Sequence, residues 1–222
     1  MPSHLTIAID GPVASGKTVV GRAVARRLGI RFLDTGTMYR AFAWATLRRG
    51  IDPKDGSALA KLAKTLDMRL EGGSDGQRLL VDGEDTASHL RERDVEQAVS
   101  LVAAVSVVRA AMVALQRKVA LEGPLVMVGR DIGTVVLKDA TLKVFLKASR
   151  EVRATRRHEE QKTHGKEVNY DEVLAGLALR DKIDTERADS PLRPAEDAVE
   201  VDTDSLTVDQ VVQRILELLK HR

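Results

Sequence analysis

The 222-residue sequence contains no cysteine, and only 3% of its residues are aromatic. Without cysteine the chain forms no disulfide, thiolate metal site or thiol nucleophile, which is compatible with a reducing compartment. Few aromatic side chains leave little surface for base stacking, and 35 Lys and Arg against 33 Asp and Glu give a net charge of only +2. Nucleic-acid-binding domains usually carry a basic surplus. We therefore expect no nucleic-acid partner.

Long apolar runs are also missing. No stretch approaches the roughly 20 apolar residues that span a bilayer, and residues 1–10 lack the cationic start of a signal peptide. These features predict a soluble, cytoplasmic protein without a membrane partner. Because no apolar stripe is evident on the expected surface, a monomer is also expected.

Five short apolar runs have the character of buried strands, and they alternate with segments of helical periodicity. The runs are residues 5–9, 30–33, 125–128, 142–146 and 198–201. The helical segments are residues 19–28, 38–47, 105–121, 150–160, 170–187 and 208–219. Alternating strands and helices predict an α/β fold with a five-stranded parallel sheet flanked by helices.

Residues 66–81 break this alternation. Two strand-like runs at 67–70 and 78–81 flank a glycine-rich turn at 71–77, and a second turn signal follows at 82–85. We expect a small antiparallel insertion over residues 64–98. The core that carries it consists of residues 1–63 and 99–222.

A phosphate-binding loop is expected between the first strand and the first helix. The segment that matches the pattern Gly-x-x-x-x-Gly-Lys-[Ser/Thr] is Gly11-Pro12-Val13-Ala14-Ser15-Gly16-Lys17-Thr18. Its backbone N–H groups are expected to surround the phosphates of ATP, with glycines where a Cβ would obstruct. Lys17 is expected to contact the β- and γ-phosphates and Thr18 to bind Mg²⁺. A purely structural turn is disfavoured by the flanking strand and helix.

Two classes of phosphate-loop protein are compatible with this loop. Residues 180–184 superficially resemble the guanine-reading Asn-Lys-x-Asp motif of GTPases, but Asp181 replaces the amide and the segment has helical periodicity. Kinases of small acceptors fit better. A nucleoside monophosphate is already a dianion near pH 7, because its second pKa is about 6, so its kinase needs cations rather than a general base.

Arginines supply such cations in four settings. They follow the predicted strands or lie on the predicted helix 170–187, and they are Arg40, Arg130, Arg150, Arg153, Arg156, Arg157, Arg180 and Arg187. Ligands of open α/β sheets bind at the carboxyl ends of the strands. The spacing of Arg180, Asp184 and Arg187 predicts one shared helical face. Each setting alone could be a solvated, ion-paired surface, but the four together favour a polyanion-binding crevice.

Three further motifs carry a family resemblance. They are Leu33-Asp34-Thr35-Gly36-Thr37-Met38-Tyr39-Arg40, Gly129-Arg130-Asp131-Ile132-Gly133-Thr134, and Arg180-Asp181-Lys182-Ile183-Asp184 with Arg187. With these motifs the chain resembles, over nearly its whole length, the bacterial-type cytidylate kinases, the (d)CMP kinases of the nucleoside monophosphate kinase superfamily. The resemblance implies transfer of a phosphoryl group from ATP, with Mg²⁺, to CMP or dCMP.

The resemblance also implies residue roles. Those implied to bind CMP are Asp34, Thr35, Arg40, Ser100, Arg109, Arg130, Asp131, Arg180, Asp184 and Arg187. Within that set, Ser100, Arg109 and Asp131 would read the cytosine edge. Those implied to act in the transfer are Lys17, Arg130, Arg153, Arg157 and Arg187. A mobile lid is implied over about residues 150–168, from which Arg157 would also bind ATP.

Two positions depart from the family pattern. Many relatives have Gly where Ala14 stands and Gly or Ser where Thr18 stands. Alanine at position 14 is expected to have no effect on the loop provided that its φ is negative. Two alternatives stay open at this point, namely another small-acceptor kinase of the UMP/CMP or shikimate type, and an ATP-binding module without turnover.

Overall fold

The computed structural model describes residues 5–71, 78–163, 165 and 167–221. In chain order its elements are β1 (Thr6–Asp10), α1 (Lys17–Leu28), β2 (Arg31–Asp34), α2 (Thr35–Arg48), α3 (Gly56–Thr65), β3 (Met68–Glu71), β4 (Arg78–Val81), β5 (Glu84–Asp85), α4 (Arg93–Ala103), α5 (Ser106–Ala120), β6 (Leu125–Gly129), a π-helical turn (Ile132–Val136), β7 (Leu142–Lys147), α6 (Arg150–Thr163), α7 (Tyr170–Glu186), β8 (Val199–Asp202) and α8 (Val208–Leu219).

The main sheet has the spatial order β2-β6-β1-β7-β8, and all of its strand pairs are parallel. This arrangement confirms the predicted α/β fold. The carboxyl ends of β2, β6 and β1 lie side by side at one edge of the sheet, because the register aligns Asp10 with Gly129 and Asp34 with Val128. The loops that follow these strands therefore meet in one crevice.

Alternate residues of β1 pack on opposite faces of the sheet. Ile7 and Ile9 pack with Val24 of α1 and Ile215 of α8 in one apolar cluster. Ala8 joins a second cluster, which includes residues of α2 and α5. Both faces are covered by helices, and this is why the strands are short continuous apolar runs in the sequence.

A separate antiparallel sheet, in the order β3-β4-β5, lies within the expected insertion. Asp82 (φ +50°) and Gly83 (φ +82°) form the turn between β4 and β5. Leu79 and Val81 of β4 pack into the cluster that includes α2. The turn predicted at 71–77 lies outside the described residues from 72 onward. The boundaries at 64 and 98 stay a prediction, and α4 continues through residue 98.

Four elements were not expected from the sequence, one of which is the short strand β5, where only a turn was predicted. Helix α3 begins after Asp55, whose carboxylate accepts hydrogen bonds from the N–H groups of Ser57 and Ala58. Helix α4 and the π-helical turn after β6 are the others. Across the described ranges, no single helix is long and apolar enough to cross a membrane; α4 and α5 pass that test only as a pair, bent by 97°.

Candidate active site

The phosphate loop, residues 11–18, connects β1 to α1, and its two flanking glycines are needed for different reasons. A Cβ on Gly11 (φ +149°) would lie 2.3 Å from the carbonyl oxygen of Leu146 in β7. The close approach of these two backbone segments therefore excludes any side chain at Gly11. Gly16 (φ +91°) has open space around it, so there the backbone conformation is what requires glycine. The loop ends at the amino end of α1, where the helix dipole favours an anion.

Ala14 has a φ of +59°, in the left-handed region. The expectation that Ala14 is neutral depended on a negative φ, and it is therefore wrong. A residue with a Cβ pays roughly 1–2 kcal/mol for this conformation. The position at which many relatives have Gly is thus locally strained in this chain.

Lys17 is buried, and its ammonium group is folded back onto the loop. Nζ donates to the carbonyl oxygen of Pro12 and to Ser15 Oγ, the latter at 3.3 Å. Burial lowers the pKa of Lys17 well below 10.5, and the nearby charge of Arg130 lowers it further. An anionic ligand in the loop would reverse this penalty, because it stabilises the charged form.

Thr18 and Asp34 form a pair of oxygen ligands beside the loop. The Thr18 hydroxyl donates to Asp34 Oδ2 at 2.7 Å, while Asp34 Oδ1 accepts the N–H of Gly36 at the start of α2. Hydroxyl and carboxylate oxygens suit Mg²⁺, which usually takes one or two protein ligands and completes its shell with phosphates and water. The described residues contain no group of three or more His, Asp or Glu that could hold a metal by themselves. The pair therefore fits Mg²⁺ held jointly with a nucleotide.

Arg130 emerges from the end of β6 and meets α7. Its Nε donates to Asp184 Oδ2 at 2.8 Å. Thr35, implied to bind CMP, uses its hydroxyl to donate to the carbonyl oxygen of Val128 at 2.9 Å. Thr35 thereby ties the start of α2 to the end of β6, and this brings the motifs of residues 33–40 and 129–134 together.

A buried ion pair joins α5 to the segment that follows β6. Arg109 Nη2 donates to Asp131 Oδ2, and the two side chains are only 2% and 6% exposed. Arg187 Nη2 lies 3.7 Å from Asp131 Oδ1, and the guanidinium carbon of Arg109 lies 5.7 Å from the centre of the Tyr39 ring. Burial raises the pKa of Tyr39 to about 12, so its hydroxyl is a donor at neutral pH.

Three buried donors beside this pair make no hydrogen bond to any described residue. In the part of the chain that the structure describes, Arg109 Nε, Arg187 Nη2 and the Tyr39 hydroxyl are buried and make no hydrogen bond. Buried donors normally have partners, and leaving one unsatisfied costs about 1–3 kcal/mol. The pocket therefore offers donors to a ligand that carries acceptors. Tyr39 was not assigned a role from the sequence.

Glu96 of α4 gathers a second group of arginines. Its carboxylate accepts a hydrogen bond from Arg157 Nη2, and its backbone carbonyl accepts one from Arg180 Nη2. Burial lowers the pKa of Arg40 and of Arg180, although the Glu96 charge opposes that shift at both. Desolvated guanidinium groups stay charged, so this cluster favours an arriving polyanion. Sequence reasoning did not find Glu96, since nothing marks it out on its own helix.

Arg153 is already fully engaged. It donates to both oxygens of Asp181, at 3.0 and 2.7 Å, and also to the carbonyl oxygen of Val13 at 3.3 Å. The residue is 5% exposed. Arg153 thus joins α6, α7 and the phosphate loop. Arg157 is also paired, with Glu160 at 2.8 Å as well as with Glu96.

Arg187 and Ser100 lie at the end of α7 and on α4. Helix α7 ends at Glu186, one residue before the predicted end, and Arg187 is its C-cap (φ −61°, ψ 138°). The N–H of Arg187 still donates to the carbonyl oxygen of Ile183, so Arg187 closes the last helical turn, and its shared face with Arg180 and Asp184 stays a prediction. Ser100 is half-buried on α4, and it makes no hydrogen bond with Arg109 or Asp131 among the described residues.

Comparisons with known proteins agree with one another. The family model described as Cytidylate kinase matches residues 7–221. A cytidylate kinase of Bacillus velezensis is 45% identical over 222 residues, which cover 100% of this chain and 99% of the relative. A cytidylate kinase of Geobacillus kaustophilus is 46% identical with the same coverage. A gluconokinase from Sinorhizobium meliloti 1021 has a similar fold, with a TM-score of 0.51 and 17% identity over 100% of this chain and 94% of its own.

Proposed function

The chain belongs to the cytidylate kinase family, and we propose that it transfers the γ-phosphoryl group of ATP to CMP or dCMP, giving ADP and CDP or dCDP. One observation carries the proposal. The phosphate loop follows β1 and the buried Arg109–Asp131 pair lies directly after β6, and these strands end side by side with β2 at the same edge of the parallel sheet. Such a crevice suits two anionic nucleotides held in line.

On the donor side, residues 11–18 hold the phosphates of ATP. Backbone N–H groups and Lys17 neutralise the β- and γ-phosphates, and burial of Lys17 makes its charge count for more than it would in water. Thr18 and Asp34 are the residues that would hold Mg²⁺, which would supply charge neutralisation across the phosphates.

On the acceptor side, Arg40 and Arg130 bind the phosphate of CMP, and Arg187 lies between acceptor and donor. Arg180 and Asp184 lie near the sugar hydroxyls. An oxygen of the CMP phosphate attacks the γ-phosphorus, the bond from that phosphorus to the bridging oxygen of ADP breaks, and ADP leaves with the electron pair. No general base is needed, because the attacking phosphate is already ionised.

Base selection rests on the buried pair of Arg109 and Asp131, with Ser100 as a third contact. Cytosine offers an amino donor beside ring-nitrogen and carbonyl acceptors, so a carboxylate suits its amino group and a guanidinium suits its acceptors. Uracil has a carbonyl where cytosine has the amino group, and it would face Asp131 with like polarity. The unsatisfied donors around Asp131 support this role.

The lid role concerns Arg157 and Arg153 on α6. We propose that Arg157 exchanges Glu96 for the phosphates of ATP when the lid closes, which would exclude water from the transfer. Residues 164 and 166, within the predicted lid, lie outside the described residues. For Arg153, its contact with the carbonyl of Val13 supports a place beside the donor.

An assay of ADP release with CMP, dCMP, UMP, AMP, dTMP and shikimate as acceptors tests the proposal. We expect the highest kcat/KM with CMP or dCMP. ADP release that is not accelerated by CMP would overturn the proposal, and fastest turnover of UMP or shikimate would identify a different small-acceptor kinase. Cytoplasmic location and a monomeric state stay predictions from the sequence.

A further inference from the structure

Asp10, the last residue of β1, is buried and directs its carboxylate at the loop that follows β6. Oδ1 accepts the N–H of Ile132 at 2.8 Å, and Oδ2 accepts the N–H of Gly133, also at 2.8 Å. The residue is 4% exposed. Both oxygens of one carboxylate are therefore bound to consecutive N–H groups 122 and 123 residues away in the chain.

These two N–H groups begin the π-helical turn at 132–136. The residues immediately before that turn are Arg130 and Asp131, and their side chains contact different partners in the crevice. Arg130 meets Asp184, and Asp131 meets Arg109. The position of both side chains depends on where the turn begins, because Asp131 has the irregular backbone conformation φ −146°, ψ 27°.

Close packing leaves the turn little freedom on its other sides. A Cβ on Gly129 would lie 2.6 Å from both Ile132 Cδ1 and Thr35 Oγ1. A Cβ on Gly133 would lie 3.1 Å from Lys143 Cδ. The carboxylate of Asp10 thus holds the beginning of the turn. Arg117 of α5 holds its end, where Nη2 donates to the carbonyl oxygen of Val135 at 2.6 Å and Nε donates to that of Val136 at 3.2 Å.

We propose that Asp10 is a positioning residue for the acceptor, one that fixes the turn carrying Arg130 and Asp131 and so couples CMP recognition to the strand that precedes the phosphate loop. This inference rests on the proposed function. Asp10 itself touches neither substrate. Its effect is expected on the acceptor and not on the donor, because the start of the phosphate loop is held independently by backbone pairing of Asp10 with Gly129 and Phe145.

The chemistry of the two N–H groups explains why a carboxylate is needed. A carboxylate accepts at both oxygens, whereas an amide has one acceptor oxygen and one NH₂ donor. In Asp10→Asn, one of the two N–H groups would lose its acceptor and face a second donor. Charged groups near Asp10 are Lys17 of α1 and, from the segment after β6, Arg130 and Asp131. The stem of Lys143 from β7 packs against Gly133.

The test compares Asp10→Asn with the wild type in the ADP-release assay. We expect KM for CMP to rise about tenfold, the scale of losing one hydrogen bond to a charged group, while KM for ATP stays within about twofold. Ile215→Ala is the matched control, since Ile215 of α8 is fully buried in the apolar cluster on the face of the sheet opposite to the cluster that contains α2, α5 and Ile132. It lowers Tm through a core cavity and should leave the ratio of the two KM values unchanged.

Equal changes in both KM values, or no change in either, would overturn the inference. If the wild type does not phosphorylate CMP at all, the proposed function fails instead, and the two failures are thereby distinguished. A substrate-free measurement covers the case in which Asp10→Asn does not fold. The backbone amide signals of Ile132 and Gly133 in wild-type NMR spectra should titrate together, with a midpoint near the raised pKa of Asp10, about 6. Independent titration, or none, would contradict the shared carboxylate anchor.

Discussion

Asp131→Asn is expected to destabilise the protein far more than its small change in shape suggests. The substitution leaves the guanidinium of Arg109, which is 2% exposed, without its carboxylate. Removing one partner of a buried ion pair costs about 3–5 kcal/mol, because a charge then stays buried and uncompensated. Arg109→Met should lower the free energy of unfolding by less, because Arg187 Nη2, 3.7 Å from Asp131 Oδ1, partly compensates the charge of the remaining carboxylate.

The double variant separates the pair from its surroundings. Once Arg109→Met removes the buried cation, Asp131→Asn no longer leaves a charge uncompensated. The double variant should therefore be more stable than the sum of the single losses predicts, by about 2 kcal/mol or more. Urea unfolding of the four proteins in nucleotide-free buffer measures this coupling free energy.

An exposed ion pair provides the control. Arg27 and Asp209 are 3.7 Å apart, with side chains that are 59% and 89% exposed. The same cycle on that pair should give a coupling of no more than about 0.5 kcal/mol, because water screens it. If the coupling free energy of the Arg109–Asp131 cycle is no larger than that of the exposed pair, the buried pair does not stabilise the fold and the reasoning is refuted.

Further predictions concern the loop, the base and pH. Lys17→Ala should lower kcat with every acceptor by at least about 10³-fold without lowering the Tm of the nucleotide-free protein, since the buried ammonium is already penalised; a lower Tm would contradict that penalty. Ala14→Gly should raise the free energy of unfolding by about 0.5–1 kcal/mol in urea, because it relieves the φ of +59°; a loss of stability would contradict the strain. Asp131→Asn should reduce the preference for CMP over UMP by about tenfold, and equal losses with both acceptors would contradict base reading. Burial raises the pKa of Asp10 from 3.8 to about 6, so the folded state binds the proton more tightly than the unfolded state does. The free energy of unfolding therefore falls as the pH rises from about 3.8 to about 6, by about 3 kcal/mol in total. The wild type should show this loss relative to Asp10→Asn in unfolding measurements between about pH 3 and 7, with most of it between the two pKa values, and parallel profiles would contradict it.

The strands and the phosphate loop were predictable because their signals are local. Both faces of the sheet are covered, so each strand appears as an apolar run, and the loop carries its own glycine pattern. The location of Arg130 was also predictable from the sequence, because a charged residue at the end of a buried strand faces the crevice.

The partners of the arginines were not predictable in this way. Glu96 lies 61 residues from Arg157, and Asp181 lies 28 residues from Arg153. Glu96 belongs to no local pattern, and the motif at residues 180–184, which contains Asp181, does not show which arginine that carboxylate binds. Asp10 could have been suspected, since it is a charged residue at the end of a buried strand, but only the register of β1 with β6 shows what it holds.

A crystal structure of the protein with CMP is the most direct test of the crevice described here. We predict that the phosphate of CMP lies within hydrogen-bond distance of Arg40 and Arg130, and that the cytosine edge meets Arg109 and Asp131. CMP bound elsewhere, or bound with its base turned away from Asp131, would contradict the account.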